Sequence, residues 1–155
     1  MTIEELIASA GALTQPPASA AGEFAEKQDL LADRLNKRLG SRDDLARLIG
    51  EGNQAMMEDN SRNFCRFMAS MFDAYDPRVM VQTVLWVFRA YRSHGFQLTF
   101  WPAELDVFVE LLRDELSPES FTALYPFYNW MIVNIPSFVE VTDQQIDGFT
   151  PPSHG

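Results

Sequence analysis

The chain has 155 residues, of which 46% are hydrophobic and 12% aromatic, and its formal net charge at pH 7 is −10. This composition excludes a disordered chain, because it supplies enough apolar surface for the core of one domain of common size. The acidic balance argues against nucleic acid and anionic membranes as partners, since both are bound mainly through basic patches.

Cys65 is the only cysteine, so the sequence allows no internal disulfide and no cysteine-based zinc site. We expect this thiol to be buried and no metal to be bound. The first residues lack the basic stretch of a signal peptide, and the densest apolar run, 105–112, is interrupted by Asp106 and Glu110. We therefore expect a cytoplasmic protein that does not enter a membrane.

Proline, glycine and hydrophobic spacing divide the chain into four parts. Residues 1–13 have helical spacing and form a predicted N-terminal arm, which could dock, swap or stay loose. Residues 14–22 carry two prolines and many small side chains, which is typical of a mobile linker. Residues 23–142 form the predicted helical domain, and 143–155 a predicted flexible tail.

The helical domain contains two strong start signals. Asp76 before Pro77 and Ser117 before Pro118 each place a capping side chain ahead of a proline at the first helical position. Pro136 is predicted to end the last helix. No convincing strand alternation is present, so the fold class is all-α, a single globular bundle of six to seven helices. The expected helices of this domain cover 23–39, 41–49, 53–75, 77–94, 102–116 and 118–135.

The patterns of common enzyme classes are missing, and we predict no catalytic residue. His94 and His154 are the only candidate imidazole bases, and no nucleophile elbow or phosphate-binding loop occurs. No Glu-x-x-His pair for a di-metal bundle is present either. Glu104, Glu110 and Glu115 are interpreted as the solvated face of one helix. An enzyme of unknown type remains a third alternative.

One short motif brings a family resemblance. The segment Arg92-Ser-His-Gly-Phe96, followed by Trp101-Pro102 at the start of the next helix, resembles the proximal region of globins. The resemblance extends over 23–135 at the level of helix order. It implies a globin-like fold in which 77–94 is the proximal helix, and it is closest to the haem-less sensor domains of bacterial signalling proteins.

Two interpretations of His94 follow. In the first, His94 favours the negative end of its helix and is followed by the capping Gly95. In the second, His94 contacts a ligand beside Tyr91 and Trp86, which are the candidate cofactor-binding residues. The helix 53–75 offers no distal histidine, so we expect no cofactor, with haem as the alternative implied by the resemblance.

The sequence therefore predicts a non-enzymatic sensory, regulatory or protein-interaction domain. Its last helix is apolar nearly all round, and aromatic side chains and methionines are enriched at interfaces, so we expect a homodimer. The alternative function is a small-molecule or haem carrier. Asn60 is expected to be buried and to need a partner. The aromatic residues expected mainly in the core are Trp86, Phe88, Tyr91, Phe100 and Trp101.

Overall fold

A computed structural model of the protein describes residues 1–148. Within that range the chain is all-α, with no strand, which confirms the predicted fold class. No helix in the described part combines the length and apolar content that crossing a membrane requires. Residues 149–155, the end of the predicted tail, lie outside the described range.

The helices are α1 (Ile3–Ala10), α2 (Ala18–Gly40), α3 (Leu45–Ile49), α4 (Gln54–Asp73), α5 (Pro77–Arg92), α6 (Phe100–Glu115) and α7 (Pro118–Gly148).

Helix α2 is central to the packing, because it contacts α4, α6 and α7. Its apolar stripe, predicted from the spacing of Phe24, Leu31 and Leu35, is fully buried. The helix begins at Ala18, however, within the segment predicted to be a linker. Alanine has the highest helix propensity, and this first turn also buries Ala20 against the core. Residues 18–22 are therefore part of helix α2 and not of a linker.

The N-terminal arm is docked on its own chain. Helix α1 packs against α5 and buries Leu6 and Ala10. The indole nitrogen of Trp130 donates a hydrogen bond to Ser9 Oγ at 3.0 Å, and Tyr75 Oη donates to the carbonyl of Ala10 at 2.7 Å. These long-range bonds come from α7 and from the turn after α4, so the arm closes one side of the bundle.

Helix α7 runs through Pro136 to Gly148, beyond its predicted end at residue 135. Each internal proline removes one backbone hydrogen bond, which is a real cost, but side chains of α5 hold the following turns in place. Arg92 Nη1 donates to Thr142 Oγ1 at 2.7 Å, and Arg89 Nη1 donates to Gln145 Oε1 at 2.6 Å. The predicted helix end, and the predicted tail as far as residue 148, were therefore wrong because of contacts between helices.

The large apolar residues of α7 mostly face the interior of this chain. Phe127 and Tyr128 are fully buried among the aromatic side chains of α4 and α6, and Trp130 is 7% exposed. Val133 is the exception, with 64% of its surface exposed. The apolar character of α7, from which an interface was predicted, is thus largely explained by packing in the core of this chain. Val133 is the large apolar residue of α7 that lies outside the core.

Candidate functional site

A cavity of about 210 Å³ lies between α4 and α5, with α6 and α7 forming its remaining walls. Its lining is mainly apolar, and a few polar side chains converge on it. The residues that line it are Asn60, Asn63, Phe64, Phe67, Thr83, Val84, Trp86, Val87, Phe88, Tyr91, Trp101, Glu104, Leu105, Met131, Ile135 and Phe138.

The gap exists because the two consecutive helices pack on different partners. Helix α4 lies against α2, whereas α5 lies against α1 and α7. The change of direction occurs at Asp76, whose carboxylate accepts hydrogen bonds from the backbone nitrogens of Arg78 and Val79 at 3.0 and 3.2 Å. Pro77 follows as the first helical residue. The predicted Asp-Pro start is confirmed, and it sets the course of α5 away from α4.

Aromatic rings form much of the wall. Phe88 stacks on Trp101 with ring centroids 4.1 Å apart and planes at 15°, which joins α5 to α6. Tyr91 is half-buried, and its edge-to-face partner is Phe96. Trp86 is 54% exposed and lines the mouth of the cavity. The aromatic set predicted for the core is therefore divided, since Trp86 is on the surface and three of the others are buried.

Glu104 is the most unusual residue of the lining. Its side chain is 4% exposed, and the amide nitrogen Nδ2 of Asn60 donates a hydrogen bond to its Oε2 at 3.3 Å. Burial raises the pKa of Glu104 to about 8, although the hydrogen bond from Asn60 acts in the opposite direction. The carboxyl group is thus mostly protonated at neutral pH. Asn60 is buried with a partner, as predicted.

The interpretation of Glu104 as part of a solvated face was wrong. It follows Trp101 by three residues and precedes Phe108 by four, so it lies on the buried stripe of α6. This spacing was visible in the sequence, whereas the cavity that accommodates a carboxyl group there was not. Glu110, on the opposite face, is exposed and pairs with Arg38 as a solvated residue should.

The chemistry available in the cavity is that of hydrogen bonding and proton exchange. Glu104 and Tyr91 are the only ionisable side chains on the lining, and none of the lining residues is cationic. Burial raises the pKa of Tyr91, with smaller effects from Asp59 and Glu104 in the same direction. The indole nitrogen of Trp101 is buried and has no acceptor among the described residues.

His94 lies outside this cavity. It is exposed in the turn after α5, and its Nδ1 donates to the carbonyl of Ala90 at 2.9 Å. Its own carbonyl accepts a hydrogen bond from Asn53 Nδ2 at 2.8 Å. Gly95 follows with φ of 105°, a left-handed conformation that glycine adopts without strain. Of the three predicted ligand residues, Tyr91 and Trp86 line the cavity together, and His94 does not.

A haem does not fit this cavity with His94 as its iron ligand. An axial histidine must direct a ring nitrogen at the iron, whereas His94 is on the surface and bonded to its own helix. No cluster of three or more potential metal-binding side chains occurs between residues 1 and 148.

The chain matches no protein-family model, and neither a curated protein nor a solved structure matches it. The resemblance of its helix order to globin-like sensor domains therefore stays a prediction. The cavity between α4 and α5, with its buried carboxyl group, is the feature of the molecule from which function can be inferred.

Proposed function

We propose that this protein is a non-enzymatic sensory or regulatory domain that binds a small, mainly apolar molecule between α4 and α5. The observation that carries the proposal is the cavity itself, which combines apolar walls with the buried pair Glu104 and Asn60. Binding sites for small molecules are typically apolar pockets with a few polar groups that orient the ligand.

The size of the cavity supports a ligand larger than benzene but smaller than most drugs. An apolar cavity of about 150 Å³ is known to hold benzene, and this one has about 210 Å³. By that comparison, a ligand of about eight or nine non-hydrogen atoms fits. A molecule of this size would touch α4 and α5 at once, so its binding would fix the separation of two helices that otherwise pack on different partners.

The polar groups favour binding over catalysis. The lining contains no cysteine, serine or histidine, so it holds none of the Ser–His or Cys–His pairs that activate a nucleophile in many hydrolases and transferases. Cys65 lies behind the wall, and burial raises the pKa of its thiol well above the ordinary value, so it is not a reactive thiolate.

Ligand binding is tested by filling the cavity. Thr83 is half-buried on the α5 wall, so Thr83→Trp should occupy the space that a ligand needs and weaken binding about tenfold or more. The probe is phenethyl alcohol, and binding is followed by chemical-shift changes in the backbone amides of α4 and α5.

Gln82→Trp is the matched control, because residue 82 is exposed, neighbours Thr83 on the same helix and is not part of the lining. It should bind the probe as the wild type does. Helix content and melting temperature are measured for both variants. Equal binding by folded Thr83→Trp and wild type would place the probe elsewhere and contradict the proposal.

Homodimerisation is a second candidate activity, supported by a separate observation. Val133 is 64% exposed on α7, and Trp86 and Val79 are further large apolar residues on the surface. Aromatic side chains such as that of Trp86 are enriched at interfaces between protein chains. We infer that α7 presents Val133 to a second copy of the chain.

A further inference from the structure

We propose that the ligand of the α4–α5 cavity is a small amine, bound through an ion pair between its ammonium group and the carboxylate of Glu104. This inference rests on the proposed function, because it names the chemical class of the molecule that the cavity binds. Four features of the cavity support it: the incomplete hydrogen bonding of Glu104, the charge of its surroundings, the aromatic walls and the volume.

Glu104 is under-partnered for a buried carboxyl group. Asn60 supplies its one hydrogen bond among the described residues, on Oε2 at 3.3 Å, which is long for a bond to a carboxylate. A buried acid without a charged partner keeps its proton, and a buried carboxylate needs a cation beside it. An ammonium group entering the cavity would provide that cation and allow the proton to leave.

Within residues 1–148, no side chain on the lining supplies this positive charge. The lining contains no lysine, arginine or histidine, and burial is the largest effect on the pKa of Glu104. The chain as a whole has a net charge of −10. A cationic ligand would therefore be attracted both by the negative charge of the whole molecule and by the carboxylate of Glu104 in the cavity. An anionic ligand would be repelled by both.

The walls suit the rest of such a molecule. Seven aromatic side chains line the cavity, including Trp86 at the mouth and Trp101 beside Glu104 on α6. Aromatic faces attract ammonium groups and also pack against an aromatic or aliphatic body. The volume limits that body to about one ring and a short chain, by the comparison with benzene made above.

Binding of an amine should be coupled to release of a proton. In the free protein the pKa of Glu104 is raised to about 8 by burial, so below pH 8 the carboxyl group must lose its proton before the ion pair forms. Of the titratable groups nearest to it, Cys65 on α4 and Tyr91 on α5 have raised pKa values and stay neutral at these pH values. The lining residues of α7 are uncharged.

The experiment compares three probes that share one ring. Phenethylamine, phenethyl alcohol and phenylacetate are titrated into the full chain at pH 8 by calorimetry. The amine should bind about tenfold or more tightly than the alcohol, since hydrogen bonds to charged groups are stronger than those between neutral groups, and phenylacetate should bind least. From pH 6 to pH 8 the affinity for the amine should rise about fiftyfold, in line with a single group of pKa about 8.

Glu104→Gln keeps the shape of the side chain and removes its charge. In this variant the amine and the alcohol should bind with similar affinities, and the dependence of amine binding on pH should disappear. Asp106→Asn is the matched control, because Asp106 lies on the same helix and is exposed, and this variant should retain the preference of the wild type. Calorimetry in buffers of different ionisation enthalpy measures the released proton directly.

The outcomes separate the two proposals. A pH-dependent preference for the amine that Glu104→Gln abolishes supports both. If phenethyl alcohol or phenylacetate binds as tightly as the amine, the ammonium assignment is overturned while ligand binding stands. If no probe binds to the folded wild type, both proposals fail.

Discussion

Glu104 illustrates how one residue can connect packing with chemistry. Its carboxyl group lies on the apolar stripe of α6, where a leucine or methionine would fit the spacing equally well, and Asn60 is its only partner in the part of the chain that the structure describes. Its raised pKa means that the folded state holds a proton that the unfolded chain releases at a lower pH. The contribution of the protonated Glu104 to the free energy of unfolding is therefore fully present below pH 4.5, the ordinary pKa of a glutamate. It is lost as the pH rises from there to about 8.

We expect Glu104→Gln to flatten this dependence. Between pH 5.5 and 7.5 the free energy of unfolding of the wild type should fall relative to that of the variant by about 2–3 kcal/mol, since each pH unit is worth about 1.4 kcal/mol for one proton. Chemical denaturation at both pH values measures the difference, in which other titrating groups cancel. Parallel profiles for the wild type and the variant would show that Glu104 ionises normally.

At the scale of elements, Glu23 joins the start of α2 to the start of α7. Its carboxylate accepts hydrogen bonds from the Ser117 backbone nitrogen and hydroxyl, both at 2.8 Å, and from the Ser120 hydroxyl at 2.6 Å. Lys27 Nζ lies 3.1 Å away. The hydrogen bond from Ser120 is the largest of the effects that lower the pKa of Glu23 to about 2. A cap predicted from Ser117 alone is thus completed from another helix.

Glu23→Ala should destabilise the protein by about 2 kcal/mol at pH 7, because it leaves the buried Ser120 hydroxyl without its acceptor. The contribution of a carboxyl group with a lowered pKa is present above about 4.5 and is lost as pH falls through about 2. The penalty should therefore shrink in acid, as thermal unfolding at pH 7 and pH 3 can measure. Glu26→Ala, at an exposed position of the same helix, should have little effect at either pH.

At the scale of the whole molecule, two features are not explained by the core. One is the cavity between α4 and α5, and the other is Val133 on α7, which is the most exposed large apolar residue in the described part of the chain. Helix α1 packs against α5, so the N-terminal arm is part of the helical bundle. The proposed ligand and the proposed second copy would thus use different surfaces of α7.

We expect Val133→Asp to convert a homodimer into a monomer, because a charge without a partner at an interface weakens association about a hundredfold or more. Light scattering after size-exclusion chromatography at several protein concentrations measures the change. Ala46→Asp adds the same charge at an exposed position of α3, which packs on α4, and should leave the dimer intact. A monomeric wild type at the highest concentration would contradict the dimer.

Local signals in the sequence predicted the elements well wherever a short stretch of chain decides the structure. The Asp76-Pro77 start and the buried stripe at Phe24, Leu31 and Leu35 depend on spacing within one helix, and both are confirmed. The helix ends were predicted less well, because the continuation of α7 past Pro136 depends on side chains of α5 that are distant in sequence. For the same reason the docking of the arm was left open.

The sequence by itself determined the all-α fold and the order of the helices, since hydrophobic periodicity and caps are properties of adjacent residues. It also selected Tyr91 and Trp86 from a stripe of aromatic residues. Only the tertiary structure decided that these two line a cavity, that His94 lies outside it, and that Glu104 is inside. The reason is physical: a cavity is the space that several helices leave between them, and no single helix encodes it.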